Sequence, residues 1–172
     1  LVTGGARGLG REYAIRLASL GADVAILDID LNSSREFQSE AALLNATTVV
    51  DELKQLGVNA CGVTADVTSR EQVFAAVNEA RSILGDFSIV VTNAGGGMGK
   101  TFENKPTEFD WDMYHAVIAR NLHGTVYTVN AVAPDMKKNR RGKIVTIASV
   151  GGIVTNSDGS YCHYAIAKAG II

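Results

Sequence analysis

Apolar positions along this chain follow two alternating rhythms. Short runs at 23–28, 60–67, 87–92 and 143–148 read as strands, and 87–92 is β-branched and apolar on both faces, as in a parallel sheet covered on both sides. Leu1 and Val2 read as the end of one more strand. Between the runs lie stripes at helical spacing: Leu9, Tyr13, Leu17 and Leu20; Val49, Val50, Leu53 and Leu56; Val73, Val77, Ala80 and Leu84; Val126, Val129, Ala133 and Met136. Gly21, Gly57, Gly85 and Gly142 fall where these helices should stop. Ser69-Arg70-Glu71-Gln72 has the form of a capping box. Thr107-Glu108-Phe109-Asp110 starts another helix, and Asn121-Leu122-His123-Gly124 opens or kinks into the next. Strand and helix alternate five times, which predicts an α/β fold: a doubly wound parallel sheet in three α/β/α layers with right-handed crossovers.

The segment 29–59 departs from this rhythm. Leu31-Asn32-Ser33-Ser34 reads as a turn and helix start with Ser33 or Ser34 as the cap. The polar stretch 33–48 is longer than one crossover helix needs, so an extended surface loop or an extra helical turn is expected there, without visible chemistry. The chain opens inside a strand and closes inside a helix. It is therefore read as one domain, residues 1–172, belonging to a longer chain and incomplete at both ends.

Charge and composition narrow the function. A net charge of −2 and a pI near 5.9 give no electrostatic footprint for nucleic acid. No apolar run approaches the ~20 residues that span a bilayer, and no signal-peptide pattern opens the chain, so no membrane partner and a cytoplasmic location are expected. Cys61 and Cys162 match no metal spacing and read as reduced thiols. The basic run 137–141 reads as a solvated turn complementing a helix C-terminus. His115, His123 and His163 have no partner set and read as surface or packing residues.

The candidate chemistry sits at the strand ends. Thr3-Gly4-Gly5-Ala6-Arg7-Gly8-Leu9-Gly10 joins the first strand to a helix. Glycines let the backbone approach a pyrophosphate, and a helix N-terminus offers free N–H groups and the positive end of its dipole. Asp28 ends the second strand 18 residues after Gly10, near the offset of the acid that binds an adenosine ribose. A carboxylate there accepts hydrogen bonds from ribose hydroxyls and repels a 2′-phosphate, so NAD is favoured over NADP. Asp30 competes for that role, and Arg7 is a base that could touch a 2′-phosphate. Asp66 and Val67, Asn93-Ala94-Gly95, and Ser149 follow the third, fourth and fifth strands. Tyr164 and Lys168 lie four apart, on one face of a helix, where an ammonium favours the phenolate and makes the phenol a usable proton donor and acceptor.

These ordered motifs resemble the classical short-chain dehydrogenase/reductase family. The glycine turn is similar to its T-G-x-x-x-G-x-G, Asp66-Val67 to its adenine-contacting pair, and Thr92-Asn93-Ala94-Gly95 to its N-N-A-G with Thr first. Asn121, Ser149, Tyr164 and Lys168 fall where that family places its catalytic tetrad. The resemblance implies a Rossmann-type fold whose C-terminal part is absent from this chain. It implies cofactor contacts from Gly4, Arg7, Gly8, Leu9, Gly10, Asp28, Asp66, Val67, Asn93, Ala94, Gly95, Tyr164 and Lys168. It further implies hydride transfer between NAD(H) and a small secondary alcohol or ketone. In that scheme Tyr164 moves the proton and Lys168 lowers its affinity for that proton and holds ribose hydroxyls. Ser149 binds the substrate oxygen, and Asn121 positions a water linking Lys168 to solvent. A homotetramer or dimer, packed through the helices containing Asn121 and Tyr164, is also implied. Ser149 and Tyr164 are 15 apart, wider than that family's usual gap, and the excess is assigned to a bulge at 155–159. Tyr161 has Ala165 and not lysine four residues on, so Tyr164 is the assigned catalyst. Two alternatives stand beside this reading: an epimerase or dehydratase of the related extended family, and a non-catalytic nucleotide-binding regulator.

Overall fold

The computed structural model describes residues 1–36 and 38–172. Five parallel strands form one sheet in the order β3-β2-β1-β4-β5. They are β1 (Val2–Thr3), β2 (Val24–Asp28), β3 (Ala60–Thr64), β4 (Ile89–Thr92) and β5 (Lys143–Thr146). The chain winds outward from β1 to β3, then returns beside β1 with β4 and winds the other way. Loops leaving the C-terminal ends of β1 and β4 therefore diverge over a crevice, which is where open α/β sheets bind ligands.

Successive residues of β2 point to opposite faces, and each face has its own apolar layer. Ala25 and Leu27 pack with Cys61, Val63 and the buried side of α4 (Arg70–Leu84) and α6 (Gly124–Lys138). Val24 and Ile26 pack with Ala14 and Ala18 of α1 (Gly8–Ser19) and with Val49 and Leu53 of α3 (Val49–Gln55). The three-layer, doubly wound expectation holds. Among the described residues, no helix is long and apolar enough to cross a membrane.

Several stripes face differently from their sequence reading. The buried side of α1 is Gly10, Arg11, Ala14 and Ala18, whereas Leu9 and Leu20 are exposed. Gly10 is small because a Cβ there would overlap the Gly4 carbonyl, whereas Ala14 and Ala18 pack with Val24 and Ile26 of the sheet. On α6, Val126 is exposed and the buried line runs through Thr125, Thr128, Ala131, Val132 and Met136. On α3, Leu56 is exposed and Glu52 is buried instead.

The segment after β2 also corrects its reading. Ser33 and Ser34 lie within a 3-10 turn, Ser33–Arg35, and neither caps a helix; Asn32 precedes the turn without a side-chain cap. A four-residue α2 (Gln38–Ala41) follows, so the extra helical turn is present. Thr48 caps α3, its hydroxyl oxygen accepting from Asp51 N–H at 3.2 Å. Arg11 anchors the segment from α1: Nε and Nη2 donate to the two Glu52 carboxylate oxygens, each at 2.8 Å, and Nη2 also reaches the Leu43 carbonyl.

The chain continues through α5 (Trp111–Ile118), capped by Asp110, and a π turn at Ala119–His123 before α6. That turn is the predicted kink. A 3-10 turn at Val150–Gly152 follows β5, and α7 (Cys162–Ala169) ends the ordered elements. The 155–159 stretch is an exposed loop closed on itself, with Ser160 N–H donating to Asp158 and the Asn156 amide donating to the Ser160 carbonyl.

Candidate active site

The glycine loop is held from behind. Thr3 Oγ1 accepts from Ala94 N–H at 3.0 Å, and the Asn93 amide donates to the Thr3 and Gly4 carbonyls at 3.2 and 3.1 Å. Asn93 thus braces the loop after β1 from the loop after β4. Gly10 is a close-approach position, since a Cβ there would overlap the Gly4 carbonyl. Gly8 is different: it has a positive φ, 52°, and its Cβ direction meets nothing within 4 Å, leaving bare backbone toward the crevice. No side chain caps the start of α1 and no acid lies in its first turn, so its amides and dipole stay available to an anion.

The crevice is about 560 Å³ and is walled by Gly4, Arg7, Gly8, Asp28, Ile29, Asp30, Ser33, Glu36, 65–67, 93–97 and Arg120. Nine of the predicted cofactor residues are on this wall: Gly4, Arg7, Gly8, Asp28, Asp66, Val67, Asn93, Ala94 and Gly95. Leu9 turns its side chain to solvent, and Gly10 sits under the loop. Asp28 is buried at the rim, its Oδ2 accepting from Ala6 N–H at 3.0 Å and its Oδ1 from Asp30 N–H at 3.3 Å, which ties this carboxylate to the glycine loop. Asp66 is fixed by half of the predicted capping box. Ser69 caps α4 by accepting from Gln72 N–H, but the Gln72 side chain accepts from Asp66 N–H at 3.0 Å instead of returning to Ser69.

Ser149, Tyr164, Lys168 and Asn121 converge at the same sheet edge. Lys168 is buried on α7 and its ammonium donates to the Ile147 carbonyl, just past β5, at 2.7 Å. That ammonium lies 5.6 Å from the centre of the Tyr164 ring. Burial holds the Lys168 ammonium below the ordinary lysine range. Gly151 marks the meeting point of the others: a Cβ on it would lie 3.6 Å from Ser149 Oγ and 3.8 Å from the Tyr164 ring. Gly151 N–H donates to Ser149 Oγ at 3.2 Å, which leaves the serine's own proton to give.

Asn121 is fully buried in the π turn. Its Oδ1 accepts from Gly96 N–H at 3.0 Å, and its amide donates to the Gly96 and Val117 carbonyls at 2.9 and 2.8 Å. A Cβ on Gly95 would lie 2.5 Å from Asn121 Oδ1 and 3.6 Å from Lys168 Nζ, so both polar ends border one glycine. The π turn, a feature concentrated at functional sites, presents this side chain inward.

Tyr161 is set apart from Tyr164. It precedes α7 in a left-handed conformation, φ 60°, with its hydroxyl over Gly97 and its ring 5.5 Å from that of Tyr164. His163 is a packing residue, fully buried with Nε2 3.0 Å from the Met98 carbonyl; His115 and His123 are exposed. Burial raises the thiols of Cys61 and Cys162, as expected of packing residues.

Two kinds of wall residue escaped the sequence reading. Arg120 lines the crevice beside Gly95, Gly96 and Gly97, and its only sequence signal is its place before Asn121. Ser33 and Glu36 line it from the segment in which the sequence shows no visible chemistry. No spacing rule reports how an irregular segment folds back.

The short chain dehydrogenase family model matches residues 1–172, and the chain belongs to that family. It is 46% identical over 171 residues to the cyclohexanol dehydrogenase of Rhodococcus sp. (strain TK6), covering 99% of this chain and 63% of that protein. It is 34% identical over 169 residues to the 7alpha-hydroxysteroid dehydrogenase of Escherichia coli (strain K12), covering 98% of this chain and 59% of that protein. A crystal structure of a 3-oxoacyl-(acyl-carrier protein) reductase with bound NAD from Brucella melitensis superposes with a TM-score of 0.79 at 33% identity, over 98% of this chain and 59% of the other. The chain thus spans about three fifths of the length of these relatives.

Proposed function

We propose that the protein carrying this chain transfers hydride between NAD(H) and a secondary alcohol or its ketone. The observation that carries the proposal is the meeting of Ser149, Tyr164 and Lys168 beside a crevice with bare backbone at Gly8 and a carboxylate at its rim. The residues fit a dinucleotide. The glycine loop and the α1 N-terminus suit its pyrophosphate, Asp28 its adenosine ribose, Asp66 and Val67 its adenine, and Lys168 the second ribose. When bound, the nicotinamide supplies the hydride acceptor or donor.

The chain's own residues handle the proton and the oxygen. Tyr164 takes the hydroxyl proton as the alcohol is oxidised and returns it on reduction. The neighbouring Lys168 charge stabilises the phenolate form in that exchange. Ser149 keeps its own proton and donates a hydrogen bond to the substrate oxygen, where charge builds up as the carbonyl forms or is attacked. Asn121 braces the 95–96 loop and faces Lys168 across Gly95, a position suited to holding a water on the way to solvent. Val150, Ile153 and Val154 are exposed apolar side chains next to Ser149. With the cyclohexanol dehydrogenase relative, they favour an apolar cyclic secondary alcohol. A homo-oligomer packed through the helices around Asn121 and Tyr164 belongs to the same reading, and Trp111 and Val126 are exposed apolar side chains on α5 and α6.

The test is a nicotinamide absorbance assay of the full-length protein, with NAD and NADP against a panel of secondary alcohols headed by cyclohexanol. Absence of turnover across the panel with NAD would sink the proposal. Two variants probe its parts. Ser149→Ala is expected to lower kcat by about 10²- to 10³-fold, the scale of one lost donor to a developing oxyanion; a kcat near wild type would remove Ser149 from the reaction. Asp28→Ala is expected to narrow the ratio of NAD to NADP affinity, and an unchanged ratio would mean that Asp28 does not read the ribose.

A further inference from the structure

We propose that Glu36 and Glu40 act through Arg7 to exclude a 2′-phosphorylated dinucleotide, so that the segment after β2 sets cofactor selectivity together with Asp28; this rests on the crevice being a dinucleotide site. Arg7 stands in the glycine loop and shares the crevice wall with Asp28, Asp30, Ser33 and Glu36. A guanidinium in that corner has the fork geometry that grips a phosphate. Here it is already engaged. Arg7 Nη2 donates to Glu40 Oε1 at 3.2 Å, Nε faces Glu40 Oε2 at 3.2 Å in ion-pair geometry, and Nη1 lies 3.8 Å from Glu36 Oε2. Arg35, in the segment after β2, donates from Nη2 to the Thr47 carbonyl at 2.7 Å.

The corner therefore sets four carboxylates, Asp28, Asp30, Glu36 and Glu40, against one guanidinium. A 2′-phosphate would have to displace Glu40 from Arg7 and then sit beside Asp28 and Glu36. Uncharged ribose hydroxyls meet no such opposition, so the discrimination works by repulsion of the wrong ligand. The segment also reaches the crevice at Ser33, which is 6% exposed and whose buried hydroxyl has no hydrogen-bond partner among the described residues.

The test compares NAD and NADP dissociation constants, by fluorescence titration of the full-length protein, for wild type and for Glu36→Gln with Glu40→Gln. Glutamine keeps the shape and removes the charge. NADP binding is expected to tighten about tenfold or more, the scale of one charge-assisted hydrogen bond freed for the phosphate, while NAD changes less than about twofold. Adding Arg7→Ala to the double variant should remove the gain. Three results overturn the proposal: NADP binding unchanged, a gain that survives Arg7→Ala, or NAD and NADP tightening in parallel, as a purely structural effect would produce. Failure of the wild type to bind either dinucleotide is a different result, because it overturns the reading of the crevice and the clamp with it.

Discussion

Tyr164→Phe is expected to abolish turnover, by about 10³-fold or more, the upper range for loss of a positioned acid–base group. The ring stays, so its packing beside Tyr161 and Gly151 stays, and only the proton-carrying oxygen is lost. NAD binding should change little, because the crevice wall does not include this hydroxyl. Tyr161→Phe is the control. Tyr161 lies outside α7 in a left-handed conformation, with its hydroxyl over Gly97, and its removal is expected to spare most of the turnover. Steady-state kinetics and an NAD titration on the three proteins decide it. Turnover retained in Tyr164→Phe, or lost equally in Tyr161→Phe, would reassign the acid–base role.

Arg11→Met is expected to destabilise the protein by about 3–5 kcal/mol, the range for breaking a buried ion pair from one side. Glu52 is 5% exposed, and without Arg11 its carboxylate would keep, among the described residues, only the Asn45 N–H, at 2.7 Å. Combining Arg11→Met with Glu52→Leu should recover most of the loss, since apolar replacements of similar volume substitute well for a buried pair. Urea unfolding of the single and double variants reads this directly, and an equal loss in both would place the cost in packing and not in the stranded charge. The pair also has a pH signature. Burial by itself would raise the Glu52 carboxyl, but the hydrogen bonds from Arg11 and Asn45 outweigh it and hold the group below the usual carboxylate range. Its folded value is depressed, so its stabilisation is present above the unfolded value of about 4.3 and is lost as pH falls through the folded value. The double variant should therefore lose less stability than wild type across that acid window.

How much was legible varied with the kind of residue. Strand positions were read well, because short apolar runs mark buried parallel strands, and Gly21, Gly57 and Gly85 adopt positive φ at their predicted stops, whereas α6 ends at Lys138 and Arg140, not Gly142, takes the left-handed conformation. Helix faces were read less well. The Leu9 to Leu20 stripe has the right period, yet α1 buries Gly10, Arg11, Ala14 and Ala18: Gly10 abuts the Gly4 carbonyl, Arg11 pairs with Glu52, and the alanines pack on the sheet. Asn121 was picked by resemblance, but its three hydrogen bonds depend on a π turn that hydropathy does not reveal. Residues 33–48 were read as bare of chemistry, because two acids in a polar stretch look like any solvated surface.

The sequence by itself determined the order of elements and where the candidate site residues stand along them: the glycine turn, Asp28, Asn93, Ser149, and the Tyr164 and Lys168 pair. Those features are local, set by residue type and by spacing within a few turns. Tertiary structure alone decided what met across the chain. Asn93 reaches the Thr3 and Gly4 carbonyls, Asn121 faces Lys168 across Gly95, and Glu36 and Glu40 close on Arg7 from about thirty residues away. Such contacts depend on how the polypeptide turns back over the sheet edge, and no periodicity in the chain encodes them.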